Sequence, residues 1–194
     1  ASDVYKRQTQ LPTVRPTAPP TAPPTQPPTP ASGVATRLQP FLIQGGNEFT
    51  DPNSYQSCAL ARVEQQVGVD SFSDAKLTQY YALYCIFCST NAKPNIITNA
   101  DPQFANVATF PGWTRSDGWT SNNTDPCTPW YGIVCVNNQV TEVNLFENFL
   151  TGVWPLEITM LASDGPRSTG AGALTKIDLF SNQYLFNNFD NSWM

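Results

Sequence analysis

The stretch VTEVNLFENFLTGVWP (140–155) decides how this chain is read. Its apolar residues Val140, Val143, Leu145 and Leu150, with Asn148 between the last two, fill the pattern L-x-x-L-x-L-x-x-N-x-L. The segment LTKIDLFSNQY (174–184) restates the head of the pattern with Leu174, Ile177, Leu179, Asn182 and Tyr184. A unit of this kind cannot bury its own apolar side and needs a neighbour like itself. Laid in register, the copies pair Glu142 with Lys176, Asn144 with Asp178, and Phe146 with Phe180. The first pair is a cross-strand charge contact of about 0.2–1 kcal/mol. The Phe pair puts two rings on a solvated strand face, where aromatic residues serve as interface anchors unless neighbouring loops or the cap shield them.

Working outward, DPCTPWYGIVC (125–135) brackets two large aromatics between Cys127 and Cys135, and GVWP (152–155) continues the first copy as G-x-x-P. Trp119, Cys127, WYGIVC (130–135) and the LTGxxP tail (150–155) resemble the plant-type leucine-rich-repeat family with its N-terminal cap, over roughly residues 55–185. The arrangement of YQSCALARVEQQ and YYALYCIFCSTN ahead of it is most similar to such proteins of diatoms and related algae. The resemblance implies an α/β-type leucine-rich-repeat solenoid, with parallel β-strands on the concave face and a helical, disulfide-closed N-terminal cap. It implies a Cys127–Cys135 bridge of about 2.5 kcal/mol, with Trp119, Trp130 and Tyr131 as cap aromatics over the end of the core. It makes Glu142, Asn144, Phe146, Lys176, Asp178 and Phe180 the candidate ligand face.

Two features depart from that pattern. The copies lie 34 residues apart, against about 24 for such repeats, and SDGPRSTGAG (163–172) accounts for the excess as an insertion. After Asn182 the LTGxxP tail is replaced by QYLFNNFDNSW, so the second copy is truncated.

Ahead of the repeats, CALARVEQQVG (58–68) reads as a helix ended by Gly68. A second helix is capped by Ser73, with Leu77, Tyr81, Tyr84, Cys85 and Cys88 on one apolar face. Residues 90–126 read as loop, punctuated by Trp113 and Trp119. Cys58 is expected to bond one of Cys85 and Cys88, joining the helices, while the other stays buried as a small hydrophobe. Spacing does not choose between them.

From Thr9 the chain runs TQLPTVRPTAPPTAPPTQPPTP, with Thr at every fourth position. Proline on that scale removes backbone donors, so the segment reads as polyproline II, roughly 68 Å long over these residues. Its composition fits a plain linker or an O-glycosylated stalk. Residues 1–8 resemble translated adapter sequence, and neither terminus has the marks of a natural end, so the chain reads as a fragment. The division is then 1–36, a disordered Thr/Pro-rich leader; 37–139, a helical cap; and 140–194, about two repeats. Asn122-Asn123-Thr124 is an N-glycosylation sequon in a loop, placing Asn122 at a secreted surface.

Composition excludes much. Lys and Arg total 10 against 15 Asp and Glu, a net charge of −5 without a basic patch, so nucleic acid is not an expected partner. There is no histidine, which removes Ser-His and Cys-His nucleophile pairs and His-ligated zinc. No metal, cofactor or catalytic residue is assigned, and an enzyme is not expected; a carboxylate hydrolase would need a paired Asp/Glu cleft that no motif supplies. The longest apolar run, YYALYCIF (80–87), is too short to span a bilayer. The expectation is an extracellular module, secreted or at the cell surface, that binds a protein, peptide or glycan. The alternative is a structural cell-wall or adhesion protein whose glycosylated stalk is the active part. Any kinase or membrane span would lie outside these residues.

Overall fold

A computed structural model of the chain describes residues 32–91, 112–128, 130–162, 173–182 and 184–186. Of the expected 1–36 leader, residues 1–31 lie outside the described residues, whereas Gly33 to Thr36 are helical rather than disordered. The insertion at 163–172 also lies outside the described residues, as do 92–111 and 187–194.

Three serines start the described α-helices. Helix α1 (Gly33–Leu38) is capped by Ser32, α2 (Tyr55–Glu64) by Ser54 and α3 (Asp74–Thr90) by Ser73. Each hydroxyl accepts the backbone N–H three residues on, at 3.0, 3.0 and 3.2 Å, a contact that typically contributes about 1 kcal/mol. Helix α2 begins earlier and ends earlier than CALARVEQQVG implies. Gly68 does not close the helix; with φ 75° it opens a short 3-10 turn, Val69–Ser71.

Helix α3 is the axis of the core. Its expected single apolar face is instead burial all round, from Leu77 to Phe87 except Gln79, continuing through Ser89 and Thr90. A helix apolar on every side needs cover on every side. Helices α1 and α2, the aromatic loop of residues 112–131 and the 3-10 helix Leu156–Leu161 provide it. A Cys58–Cys88 disulfide ties α2 to α3, and Cys85 is the buried free thiol.

Strands β1 (Ile133–Val136) and β2 (Gln139–Asn144) form an antiparallel hairpin across Asn137 and Asn138, both at positive φ (52° and 63°). Asparagine tolerates the left-handed region, and two such residues suit a tight hairpin turn. Strand β3 (Thr151–Val153) follows; β4 (Lys176–Asp178) pairs parallel to β2, and β5 (Tyr184–Phe186) parallel to β3. The hairpin carries the chain across residue 140, so the cap-like and repeat-like segments share one sheet.

This architecture corrects the expected solenoid. The described residues form a small mixed sheet, β1-β2-β4, with one antiparallel and one parallel pairing, beside the two-stranded β3-β5. No stack of parallel strands is present among them. The reason is physical: each parallel pairing is only three residues long, and two copies offer one mutual interface rather than a repeating one. The burial that organises the molecule is helical and aromatic, centred on α3.

Candidate binding face

The outward side of β1-β2-β4 is set by which residues turn inward. Val140, Val143 and Leu145 are buried, yet 140 and 143 cannot face the same way in a regular strand. A bulge resolves this: Val134 opposes Glu142 and Cys135 opposes Val140, which leaves Thr141 unmatched. Inward packing thus resumes in phase, and Glu142 and Asn144 fall outside, next to Lys176 and Asp178 of β4. The Lys176 ammonium lies 3.1 Å from the Glu142 carboxylate.

Past the strands, two equivalent turns present the aromatic pair. Asn144 Oδ1 accepts the Phe146 N–H at 3.3 Å, and Asp178 Oδ1 accepts the Phe180 N–H at 3.1 Å. The Leu145 N–H donates to Asp178 O at 2.8 Å and the Glu147 N–H to Phe180 O at 3.1 Å, so the two turns run in step. Each Phe is followed by a residue at positive φ, Glu147 (48°) and Ser181 (61°). The rings stack with centroids 5.9 Å apart and planes 7° apart. Phe146 remains 39% exposed and Phe180 72%, so no loop of the described residues shields them. The structure brings all six face residues together. Val134 and Val136 on β1 are exposed as well; sequence reasoning missed them, although the alternation in IVCV carried the signal.

The turns are held from below by amides. Asn182 Oδ1 accepts the N–H groups of Asn148 (3.1 Å) and Leu150 (3.0 Å), and its Nδ2 donates to Leu145 O (2.7 Å). Buried Asn148 reaches the aromatic loop in the same way. Its Oδ1 accepts the Arg115 N–H at 2.7 Å and its Nδ2 donates to Arg115 O at 2.9 Å.

The remaining predicted residues lie away from this face. Cys127 and Cys135 are bridged. Trp119 and Trp130 are buried and join Trp113 at centroid distances of 4.7 and 5.0 Å along the chain of rings. Tyr84 and Tyr80 of α3 meet Trp130 at 5.2 and 5.9 Å. Each indole N–H is satisfied: Trp113 by Thr90 Oγ1, Trp119 by Tyr131 O and Trp130 by Thr124 Oγ1, all within 3.0 Å. Tyr131 is half-buried, with the Arg115 guanidinium 3.9 Å over its ring. The loop between the cysteines therefore clamps α3 rather than lying over a stack. Asn122 is exposed, and its carbonyl accepts the Val67 N–H.

Against α3 sits a second polar group of residues. Glu157 is buried, accepting from Tyr55 Oη at 2.9 Å and Gln56 Nε2 at 3.3 Å. Burial pushes its carboxyl above the usual carboxylate range, against those hydrogen bonds. Burial likewise pushes up the Cys85 thiol and the Tyr55 and Tyr81 hydroxyls. The buried Tyr81 hydroxyl has no hydrogen-bond partner among the described residues, and the Cys85 thiol lies near it. Tyr84 is pushed up to about 12, mainly by burial, with Arg62 opposing. A thiol held protonated and fully enclosed is not a nucleophile, and a carboxyl 1% exposed meets no substrate. Among the described residues, no group of three His, Cys, Asp or Glu is placed to hold a metal ion, and no helix is long and apolar enough to cross a membrane.

The chain matches no family model, no curated protein and no solved structure.

Proposed function

We propose that this chain is an extracellular binding module that engages a protein, peptide or glycan through the outward face of β1-β2-β4. The observation that carries this is the exposed, stacked Phe146–Phe180 pair beside the Glu142–Lys176 ion pair. Two rings left open to water on matched turns forgo burial of about 25 cal/mol per Å² of apolar surface. A ligand covering them recovers it. Glu142, Asn144 and Asp178 supply acceptors around the rings, and Lys176 a donor, as specificity requires.

Two disulfides favour an oxidising compartment, so the reading is of a secreted or cell-surface protein, with Asn122 as its N-glycan site. It does not depend on a solenoid, because one sheet face with two aromatic anchors is a sufficient contact. The resemblance to leucine-rich-repeat caps, and a receptor-like parent, stand as part of this proposal.

The test is selection against the folded protein with a displayed peptide library and a glycan array, followed by Phe146→Ala and Phe180→Ala. Each variant should lose at least tenfold in affinity for a selected ligand while unfolding within about 0.5 kcal/mol of the parent. Unchanged binding by both variants sinks the proposal.

A further inference from the structure

A cleft away from the sheet face opens between the first turns of α3, the loop 121–125 and the β1–β2 turn. It has two lobes, of about 290 and 210 Å³, and both are walled by Lys76 and Asp125. These two residues form an ion pair at 2.9 Å, so the cleft carries no unbalanced charge of its own. An anion such as phosphate, or a cation, therefore has no field to select it.

What the cleft offers instead is amides and hydroxyls. Ser73, Gln79, Asn138 and Gln139 line the larger lobe, with Ala75 its one apolar contributor. Asn122, Asn123 and Thr124 line the smaller one. The side-chain amides of Asn138, Gln139 and Asn123 make no hydrogen bond within the described residues, so they remain available for a ligand, while Asn122 at the rim is the sequon residue. Each presents both donors and an acceptor, which matches hydroxyl groups that donate and accept at once. The smaller lobe adds aromatic surface from Phe72 and Tyr80, whose rings lie 5.0 Å apart.

Part of the wall is held by contacts within the chain. Gln79 Oε1 accepts the Val140 N–H at 2.9 Å and its Nε2 donates to Asn138 O at 3.4 Å, which fixes the turn to α3. Lys76 Nζ lies 4.5 Å over the Phe72 ring, fixing that side chain too. A turn backbone held in this way lowers the ordering cost of binding at its two amides.

We infer that this cleft is a saccharide site, built from the free amides of Asn138, Gln139 and Asn123 with the Phe72 and Tyr80 rings as its apolar wall. It stands apart from the sheet face and does not depend on it. The sugar has two sources. It is a free glycan, or it is the first residues of an N-glycan on the chain's own Asn122, at the rim of the smaller lobe.

The test uses the full chain secreted from a eukaryotic host, and the same chain as Asn122→Gln. Chitotriose, cellotriose, laminaritriose and mannotriose are titrated against each, with amide chemical shifts as the readout. Shifts at residues 73–79 and 136–139 in both forms, at a Kd of roughly 1 mM, identify a free glycan. Shifts only in Asn122→Gln identify the chain's own glycan as the occupant, with a carbohydrate mass on the parent chain. Asn138→Gly keeps the left-handed turn yet removes the amide; with Gln139→Ala it should weaken binding about tenfold. Phe146→Ala, on the other face, should leave it unchanged. No shift with any of the four sugars in either form overturns the inference. Binding that Phe146→Ala abolishes and Asn138→Gly spares overturns it too, and moves the sugar to the sheet face.

Discussion

Removing the two disulfides separately should reveal how each stabilises the fold. Cys58 is exposed, and Cys88, Cys127 and Cys135 are only partly buried, so replacing a bridge by two alanines leaves little cavity. The dominant loss is then the constraint on the unfolded chain. The Cys127–Cys135 loop spans 8 positions and the Cys58–Cys88 loop 30. Loop-closure entropy gives about 2.5 kcal/mol for the first and about 3.6 kcal/mol for the second. At about 4 °C per kcal/mol, the melting temperature should fall by about 10 °C in C127A/C135A and about 15 °C in C58A/C88A. The assay is thermal unfolding followed by near-UV circular dichroism, which reports the packed Trp113, Trp119 and Trp130. If loss of the short bridge costs as much as loss of the long one, unfolded-state entropy is not what the bridges contribute. The aromatic clamp around Trp130 would then depend on its bridge directly.

Three further substitutions probe the core. Glu157→Gln should alter the pH dependence of stability. The Glu157 carboxyl is raised by burial, so its contribution is fully present below its unfolded value and is lost as pH rises through the folded one. As pH falls from neutral to the ordinary carboxylate range the parent should therefore gain stability relative to the Gln variant; parallel urea midpoints for both proteins throughout that fall would contradict this. Asn148→Ala strands the Arg115 N–H and carbonyl that the amide satisfies and should cost about 2–4 kcal/mol, with faster hydrogen exchange at Arg115 as its local sign. Gly132→Ala should prevent the β1–β2 hairpin from closing: φ is 77° and an added Cβ would stand 2.1 Å from Asn144 O. A loss above about 3 kcal/mol in urea unfolding is expected, and a variant as stable as the parent would mean that this close approach relaxes freely.

The local signals in the sequence were the durable ones. Ser73 as a cap, the pairing of Cys127 with Cys135, and the register that sets Glu142 against Lys176 are each decided by a few neighbouring residues or a single period. Longer-range outcomes were not legible. Tyr80, Tyr81 and Tyr84 carry hydroxyls, so α3 reads as one-faced, and only the tertiary cover shows that every side is enclosed. The choice of Cys88 over Cys85 turns on the rotation of α3 against α2, which spacing does not encode. The solenoid rested on the resemblance of the cap motif and the two copies to leucine-rich-repeat proteins. Three-residue pairings and a hairpin that runs antiparallel give a mixed sheet instead. On the candidate face, Phe146 and Phe180 were visible as a pair, but not that they stay uncovered; that depends on loops whose path the sequence does not specify.

The two disulfides also set what the chain can do under tension. Pulled from its ends, an unfolding chain lengthens by at most about 3.4 Å per residue released. The 30 positions between Cys58 and Cys88 and the 8 between Cys127 and Cys135 lie behind covalent bonds, so about 100 Å and about 27 Å of contour cannot be drawn out. Helix α3 from Asp74 to Phe87 falls inside the larger withheld segment. A force large enough to strip away β4 and the 3-10 helix would still leave α2 stapled to α3. The oxidised molecule thus has a mechanical stop, and a reductant, not a larger force, is what removes it.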